Sequence, residues 1–198
     1  GSVAVLLALD EAESSIVDAT LAIVAEECQE ARVLDIELVD RWLVHRNDVS
    51  ALEALIRKGF VVDTLEIAGA WSRLPAIYRA ATQALLSLPH TRVATAHLSH
   101  SYGDGACLYF TFAATPPAAD VEATYNALWD AGARAVLAAG GNLSHHHGVG
   151  LNRDRFVAEA LGSSWPVLEA VKAALDPTGI LNPGKLGLPS PFGGAEWP

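Results

Sequence analysis

The sequence lacks the features that mark several common classes of protein. It has 198 residues but no methionine, and its two cysteines are Cys28 and Cys107. So few cysteines argue against a secreted disulfide scaffold and favour a reducing, cytoplasmic setting in which both are small core residues. No run of about 18 apolar residues occurs, and the N-terminus lacks the layout of a signal peptide. We therefore expect a soluble protein.

Positive charge is also scarce. Lys and Arg number 13 against 23 Asp and Glu, which gives a net charge of -10. The basic residues form no cluster, so the chain does not resemble a nucleic-acid-binding protein or one that binds anionic membranes. A small molecule or another protein is the expected partner.

Hydrophobic residues make up 51% of the sequence, enough to bury a full core. Gly1 and Ser2 stand directly before an apolar run at residues 3–9, an arrangement typical of the scar left by a removed tag. We expect an excised piece with three parts: a scar at residues 1–2, one domain at residues 3–188, and a Pro/Gly-rich tail at residues 189–198.

Hydrophobic periodicity predicts alternating strands and helices. The predicted strands are residues 3–9, 32–44, 60–70, 91–100 and 106–113. The predicted helices lie around residues 16–24, after the potential cap Asn47-Asp48 up to Gly59, at residues 71–88, from Val121 to Val136, and in two stretches up to Leu175. Residues 102–105 predict a hairpin between neighbouring strands. The fold class is α+β, a ferredoxin-like mixed or antiparallel sheet with helices packed on it.

Three adjacent histidines, His145, His146 and His147, occupy a glycine-framed loop at residues 140–150. Imidazoles donate, accept or carry protons near neutral pH, so the loop is a candidate for catalysis. A solvated polar loop and an adventitious metal site are the alternatives. Neighbouring residues in an extended segment point to opposite sides, and no Cys or His follows at zinc-finger spacing. The expectation is therefore no bound metal.

Tyr109 is the second candidate, because strand alternation separates it from its large apolar neighbours. The neighbours expected to face the core are Leu108, Phe110 and Phe112. Tyr109 then shares the opposite face with Cys107 and points at solvent or at a second domain. A tyrosine that merely packs is the alternative. His97 and His100 flank the same hairpin and are further candidates, although hydrogen-bonded histidines at strand ends are common.

Three segments resemble one family. Residues 176–185, DPTGILNPGK, resemble the closing motif of FAD-linked oxidases of the vanillyl-alcohol-oxidase type. Residues 140–150, GGNLSHHHGVG, resemble the active-site loop of that superfamily, in the triple-histidine form typical of alkyldihydroxyacetonephosphate synthases. Residues 105–110, GACLYF, are similar to the synthase strand that bears a catalytic tyrosine, and Leu65-Glu66 with Trp71 is similar to the segment upstream. The resemblance covers most of the chain after Leu65.

The resemblance implies a two-domain enzyme in which an N-terminal domain holds FAD and this domain caps the flavin. The synthase reaction exchanges an acyl chain for a fatty alcohol in ether-lipid synthesis. The implied partners are that N-terminal domain, a small or lipid-like substrate, and a second copy of the chain. The isolated fragment is expected to be inactive.

The resemblance also implies roles for individual residues where the motifs of the family match this sequence. Tyr109 is the implied acid/base group, and His145, His146 and His147 are implied to line the pocket. Ser144, Arg46 and Arg57 are assigned to substrate binding, and His147 and Asn182 to the cofactor.

The sequence departs from its relatives in two places. Leu52 stands where the synthases carry an arginine that holds the acidic group of the substrate, which weakens the case for a phosphorylated substrate. Ala106 and Leu108 stand where metal-dependent 2-hydroxyacid dehydrogenases have Asn and His. An FAD-dependent D-lactate or glycolate type of dehydrogenase is the alternative function, and a non-catalytic assembly or binding domain is the second.

Overall fold

A computed structural model describes residues 4–48 and 50–193. They form two compact units, the first ending at Ser50 and the second beginning at Ala51. Within these described ranges, no helix combines the length and the apolar character needed to cross a membrane.

In its described residues, the first unit contains the helices α1 (Ser14–Glu27) and α2 (Glu37–His45). The Glu13 side chain caps α1 by accepting a hydrogen bond from the Ser15 amide at 3.2 Å. The strand predicted at residues 3–9 is wrong over residues 4–9, which have no regular structure, and Val3 lies outside the described residues. A strand needs a hydrogen-bonded partner, and the described part of this unit offers no other strand.

The strand predicted at residues 32–44 is also wrong, because most of this segment forms α2. The Asp35 carboxylate accepts a hydrogen bond from the Glu37 amide at 3.0 Å and so starts a helix. Apolar residues three and four apart continue on one helix face: Ile36, Val39 and Leu43. The helix predicted after Asp48 is confirmed as α3 (Ser50–Arg57), and Gly59 follows it with φ 83°.

The second unit is built on a three-stranded antiparallel sheet, which confirms the α+β class. Its strands are β1 (Val61–Ala70), β2 (Thr91–Ser99) and β3 (Gly105–Ala114), in the order β1-β3-β2. Helix α4 (Leu74–Leu86) connects β1 to β2, and α5 (Val121–Ala138) follows β3. This β-α-β-β-α succession is that of a ferredoxin-like fold up to its second helix.

The core lies between the helices and one face of the sheet. Its fully buried side chains come from β1, α4, β3 and α5: Leu65, Ile67, Ile77, Leu85, Phe110, Phe112, Leu128 and Val136. Burial of each such side chain stabilises the fold by about 1.5–3 kcal/mol. At the sheet edge, the Asp63 carboxylate accepts hydrogen bonds from Tyr125 Oη at 2.8 Å and Trp129 Nε1 at 3.0 Å. The core helices α4 and α5 pack on one face of the sheet, so its other face is not covered by them.

The histidine loop follows α5 and runs along the outer edge of β1, where the Asn142 amide donates to the Ala68 carbonyl at 2.8 Å. Three further helices come next: α6 (Gly150–Asp154), α7 (Val157–Leu161) and α8 (Trp165–Leu175). The closing motif is held by Asp176, whose carboxylate accepts hydrogen bonds from the Ile180 amide at 3.0 Å and the Leu181 amide at 2.9 Å.

Candidate active site

Three polar side chains form a row across the sheet on the face away from α4 and α5. In the strand register, Tyr109 of β3 pairs with Glu66 of β1 on one side and with His97 of β2 on the other. Directly opposed residues of antiparallel strands share a face, so the three side chains are neighbours. The predicted orientation of Tyr109, away from the core, is the one observed.

Glu66 and Arg153 form a buried ion pair that joins β1 to α6. Each residue is only 8% exposed. The hydroxyl of Thr64 also donates a hydrogen bond to Glu66, with 2.9 Å between Oγ1 and Oε1. Burial by itself raises the pKa of the Glu66 carboxyl. The hydrogen bond from Thr64, the charge of Arg153 and the hydrogen bond from Tyr109 together outweigh it, so the pKa lies below its ordinary value.

Arg153 also holds the histidine loop. Its Nη1 donates to the Gly148 carbonyl at 3.2 Å, and Ser144 Oγ donates to the same carbonyl at 2.5 Å. The guanidinium lies over the Trp129 ring, 5.4 Å from its centroid. One side chain therefore fixes both the carboxylate beside Tyr109 and the end of the loop that carries the histidines.

The imidazoles of the loop are packed against one another and against the hairpin. The ring centroids of His145 lie 4.2 Å from His146 and 4.1 Å from His147. His100, at the end of β2, lies 4.6 Å from His146. The Tyr109 ring lies edge-on to His145, with 6.3 Å between centroids. The structure thus brings the two main candidates, Tyr109 and the histidine loop, to one surface.

Tyr109 is held in its protonated form. Its hydroxyl lies 3.5 Å from Thr64 Oγ1. That hydrogen bond lowers the pKa of the phenol, but partial burial and the hydrogen bond to the Glu66 carboxylate, together with the negative charges of Glu66 and Asp63, outweigh it, so the pKa of Tyr109 is raised. At neutral pH the phenol is a proton donor.

The pKa of His145 is shifted in the opposite direction from that of Tyr109. Burial, and then the charges of His147 and His146, lower its pKa below the ordinary histidine value. At neutral pH its ring is uncharged and able to accept a proton. Its Nδ1 is buried and finds no hydrogen-bond partner among residues 4–48 and 50–193.

The remaining predicted site residues do not join this cluster on the described contacts. The Ser144 hydroxyl is used within the loop. Arg46 belongs to the first unit, where its guanidinium lies over Trp42. Arg57 is exposed and pairs with Glu53 on its own helix, at 2.6 Å. Asn182 is exposed and has φ 47°.

Glu66, Arg153 and Thr64 were missed as functional candidates. Glu66 stood within a family-like segment but received no role, and Arg153 lies just after the histidine loop. The available signal was a carboxylate directly between Leu65 and Ile67 in a strand, because buried carboxylates require a cationic or hydrogen-bonding partner.

Comparison with known proteins decides the family. A family model described as "FAD linked oxidases, C-terminal domain" matches residues 1–186. The chain belongs to this family. The FAD-linked oxidase C-terminal domain described here is 30% identical over 173 residues to "Uncharacterized FAD-linked oxidoreductase YgcU" of Escherichia coli (strain K12), covering 81% of this chain and 35% of that protein.

Alkyldihydroxyacetonephosphate synthases are also among the relatives of this domain. The Dictyostelium discoideum synthase is 29% identical over 153 residues, covering 73% of this chain and 25% of that protein. A solved structure of an alkyldihydroxyacetonephosphate synthase is similar with a TM-score of 0.49 at 24% identity, covering 73% of this chain and 24% of the other. The chain thus spans only about a third or a quarter of the length of these proteins.

Proposed function

We propose that this domain is the substrate-facing cap of an FAD-dependent enzyme that exchanges an acyl chain for a fatty alcohol, as in ether-lipid synthesis. Its partners are an N-terminal domain that holds FAD and a lipid-like substrate, and a second copy of the chain is a further candidate. The proposal rests on membership of the FAD-linked oxidase family and on the synthase relatives. The unpaired thiols of Cys28 and Cys107 favour a cytoplasmic location.

The observation that carries the proposal is the placement of Tyr109 next to both Glu66 and His145. The phenol is protonated, the ionised Glu66 carboxylate is its cross-strand neighbour, and the neutral His145 ring lies edge-on to it with 6.3 Å between centroids. His145 is the proposed acceptor of a proton that leaves the phenol oxygen, while the lowered pKa of Glu66 keeps its carboxylate ionised beside the phenol. General acid/base catalysis needs such groups within reach and with pKa values set by their surroundings.

The residues on this face fit a flavin and its substrate. The buried Nδ1 of His145 has no partner in the described chain, and the exposed rings of His146 and His147 present further donors and acceptors. FAD, when bound, would supply the electrophilic and redox-active ring system. This domain would contribute proton transfer by Tyr109 and His145, together with the exclusion of water from the covered face.

A cavity behind the histidine loop supports a substrate with an apolar part. It has a volume of about 310 Å³. Its apolar lining includes Leu137, Leu143, Val149 and Val157. Its polar edge is formed by Ser144 and His145 of the histidine loop. Such a mixture suits a molecule with one polar end and a hydrocarbon segment.

The experiment is the substitution Tyr109→Phe in the full-length flavoprotein, measured as incorporation of labelled fatty alcohol into product. Loss of an acid/base group should reduce turnover by about a hundredfold to ten-thousandfold, while the fold and flavin content are kept. Tyr102→Phe, at an exposed tyrosine on the hairpin, is the matched control and should retain normal turnover. A Tyr109→Phe enzyme with more than about a third of wild-type turnover would exclude the proposed role.

The full-length flavoprotein also allows the exchange reaction to be distinguished from the alternative, a dehydrogenase reaction. A dehydrogenase of D-lactate or glycolate type would reduce its flavin when mixed anaerobically with a 2-hydroxyacid, whereas the exchange reaction leaves the flavin oxidised overall. Leu108 stands where the metal-dependent dehydrogenases place a histidine, and its side chain lies in the core, on the face away from Tyr109. This position disfavours the dehydrogenase. Stoichiometric flavin reduction by a hydroxyacid, without alcohol incorporation, would replace the exchange proposal. If the domain serves only in assembly or binding, Tyr109→Phe should leave turnover unchanged.

A further inference from the structure

We propose that His100, Cys107 and His146 form a binding site for Zn²⁺ or a similarly thiophilic divalent cation. The three residues come from separate places in the chain: the end of β2, the start of β3 and the histidine loop. Their ligand atoms all lie within 4.8 Å of one another. The sequence offered no Cys or His downstream of the loop at zinc-finger spacing, and the fold supplies both from the hairpin upstream.

The sheet register explains why the hairpin residues face the loop. Cys107 pairs with Ser99 across the strands and lies two residues from Tyr109, so its thiol points to the same face as the polar row. His100 follows Ser99 directly and has φ 51°, a conformation that ends the strand. Its ring then lies beside His146, with 4.6 Å between centroids.

The ligand set has the chemistry of a zinc site. One thiolate and two imidazoles are soft and borderline ligands that Zn²⁺ prefers, and three protein ligands leave a fourth tetrahedral position for water. Zinc bonds of about 2.3 Å to sulfur and about 2.0–2.1 Å to nitrogen place neighbouring ligand atoms roughly 3.3–3.7 Å apart. The cluster therefore has to contract by no more than about 1.5 Å. Both histidines are exposed, so this contraction does not require the core to repack.

A hydrogen bond already orients one ligand. Ser99 Oγ lies 2.9 Å from His100 Nδ1, which leaves Nε2 of that ring available for a metal. Metal-binding histidines commonly use their second nitrogen in this way, and the contact fixes the ring and its tautomer.

The competing cluster is His145, His146 and His147, whose ligand atoms also lie within 4.8 Å of one another. That cluster has three imidazoles and no thiolate, so it offers Zn²⁺ a weaker set of soft ligands than the cluster with Cys107. The site with Cys107 also joins residues from two parts of the chain, which a single loop does not. His146 packs against His145 and belongs to the face proposed to meet flavin and substrate, so metal binding would compete with catalysis. That consequence rests on the proposed function, whereas the metal site does not.

Cobalt titration of the purified, reduced 198-residue chain tests the site, because Co²⁺ replaces Zn²⁺ and reports thiolate ligation by a charge-transfer band. We expect one equivalent of Co²⁺ to produce the band and Zn²⁺ to abolish it by displacement. Cys107→Ser should remove the band, and His100→Asn should weaken Zn²⁺ binding at least tenfold by removing a ligand at an exposed position. Cys28→Ser, at the other cysteine, should change neither result.

The outcomes separate the two clusters without any measurement of activity. Melting curves of each apo variant show whether it is folded, and His100→Asn carries the test if Cys107→Ser unfolds. A further variant, His147→Asn, should change Zn²⁺ affinity less than about threefold. A charge-transfer band that persists in Cys107→Ser, or equal losses of affinity for His147→Asn and His146→Asn with none for His100→Asn, would overturn the proposal.

Discussion

Replacing Arg153 by methionine should destabilise the domain far more than a typical surface substitution. The side chain is 8% exposed, and its loss leaves the equally buried Glu66 carboxylate with hydrogen bonds from Thr64 and Tyr109 but no cation. Removal of one partner from a buried ion pair costs about 3–5 kcal/mol of unfolding free energy. The hydrogen bond to the Gly148 carbonyl is lost as well. For a chain of this size the expected fall in melting temperature is about 6–20 °C.

The assay is urea denaturation of the 198-residue chain at pH 7, with the midpoint and the slope m both fitted. Arg57→Met is the matched control, because its pair with Glu53 is exposed and such pairs contribute about 0–1 kcal/mol. Adding Glu66→Gln to Arg153→Met should restore part of the lost stability, since it removes the uncompensated charge. An unfolding free energy within about 1 kcal/mol of wild type for Arg153→Met would refute this account of the pair. The account would also be refuted if Glu66→Gln, added to Arg153→Met, lowered the unfolding free energy further instead of restoring part of it.

Two further predictions concern the scaffold. Gly105→Ala should destabilise the domain by about 1–3 kcal/mol, measured by the urea midpoint, because a Cβ there would lie 2.2 Å from the Gly69 carbonyl oxygen on the neighbouring strand; an unchanged midpoint would contradict the strand spacing. Asp176→Asn should lower the melting temperature at neutral pH. The Lys172 side chain and the Ile180 and Leu181 amides hold the pKa of Asp176 below 3.8, so its ionised form stabilises the fold above that pH. That stability is lost as the pH falls through the folded-state pKa, and melting curves of both proteins should therefore converge in acid; a difference independent of pH would contradict the assignment.

Local patterns in the sequence predicted the helices and strands of the second unit well. Alternation around Tyr109 was strong because Phe110 and Phe112 are large and fully buried, and the period of two left only one orientation for the tyrosine. The two wrong strands lay in the first unit. There the apolar run at residues 3–9 had no partner strand to pair with, and at residues 32–44 a cap at Asp35 favoured a helix over the apparent alternation.

The sequence by itself determined the family, the α+β class and the two candidate catalytic features, because motifs and strand periodicity depend on neighbours along the chain. The Glu66–Arg153 pair and the meeting of His100 and Cys107 with His146 depend on residues that the chain separates by 87, 46 and 39 positions. Hydrophobic periodicity relates residues a few positions apart, so it contains no information about contacts between residues so far apart in the sequence. They exist because β3 lies between β1 and β2 and because the loop after α5 returns along the edge of β1. Only the tertiary structure therefore decided which charges are buried together and which imidazoles face a thiol.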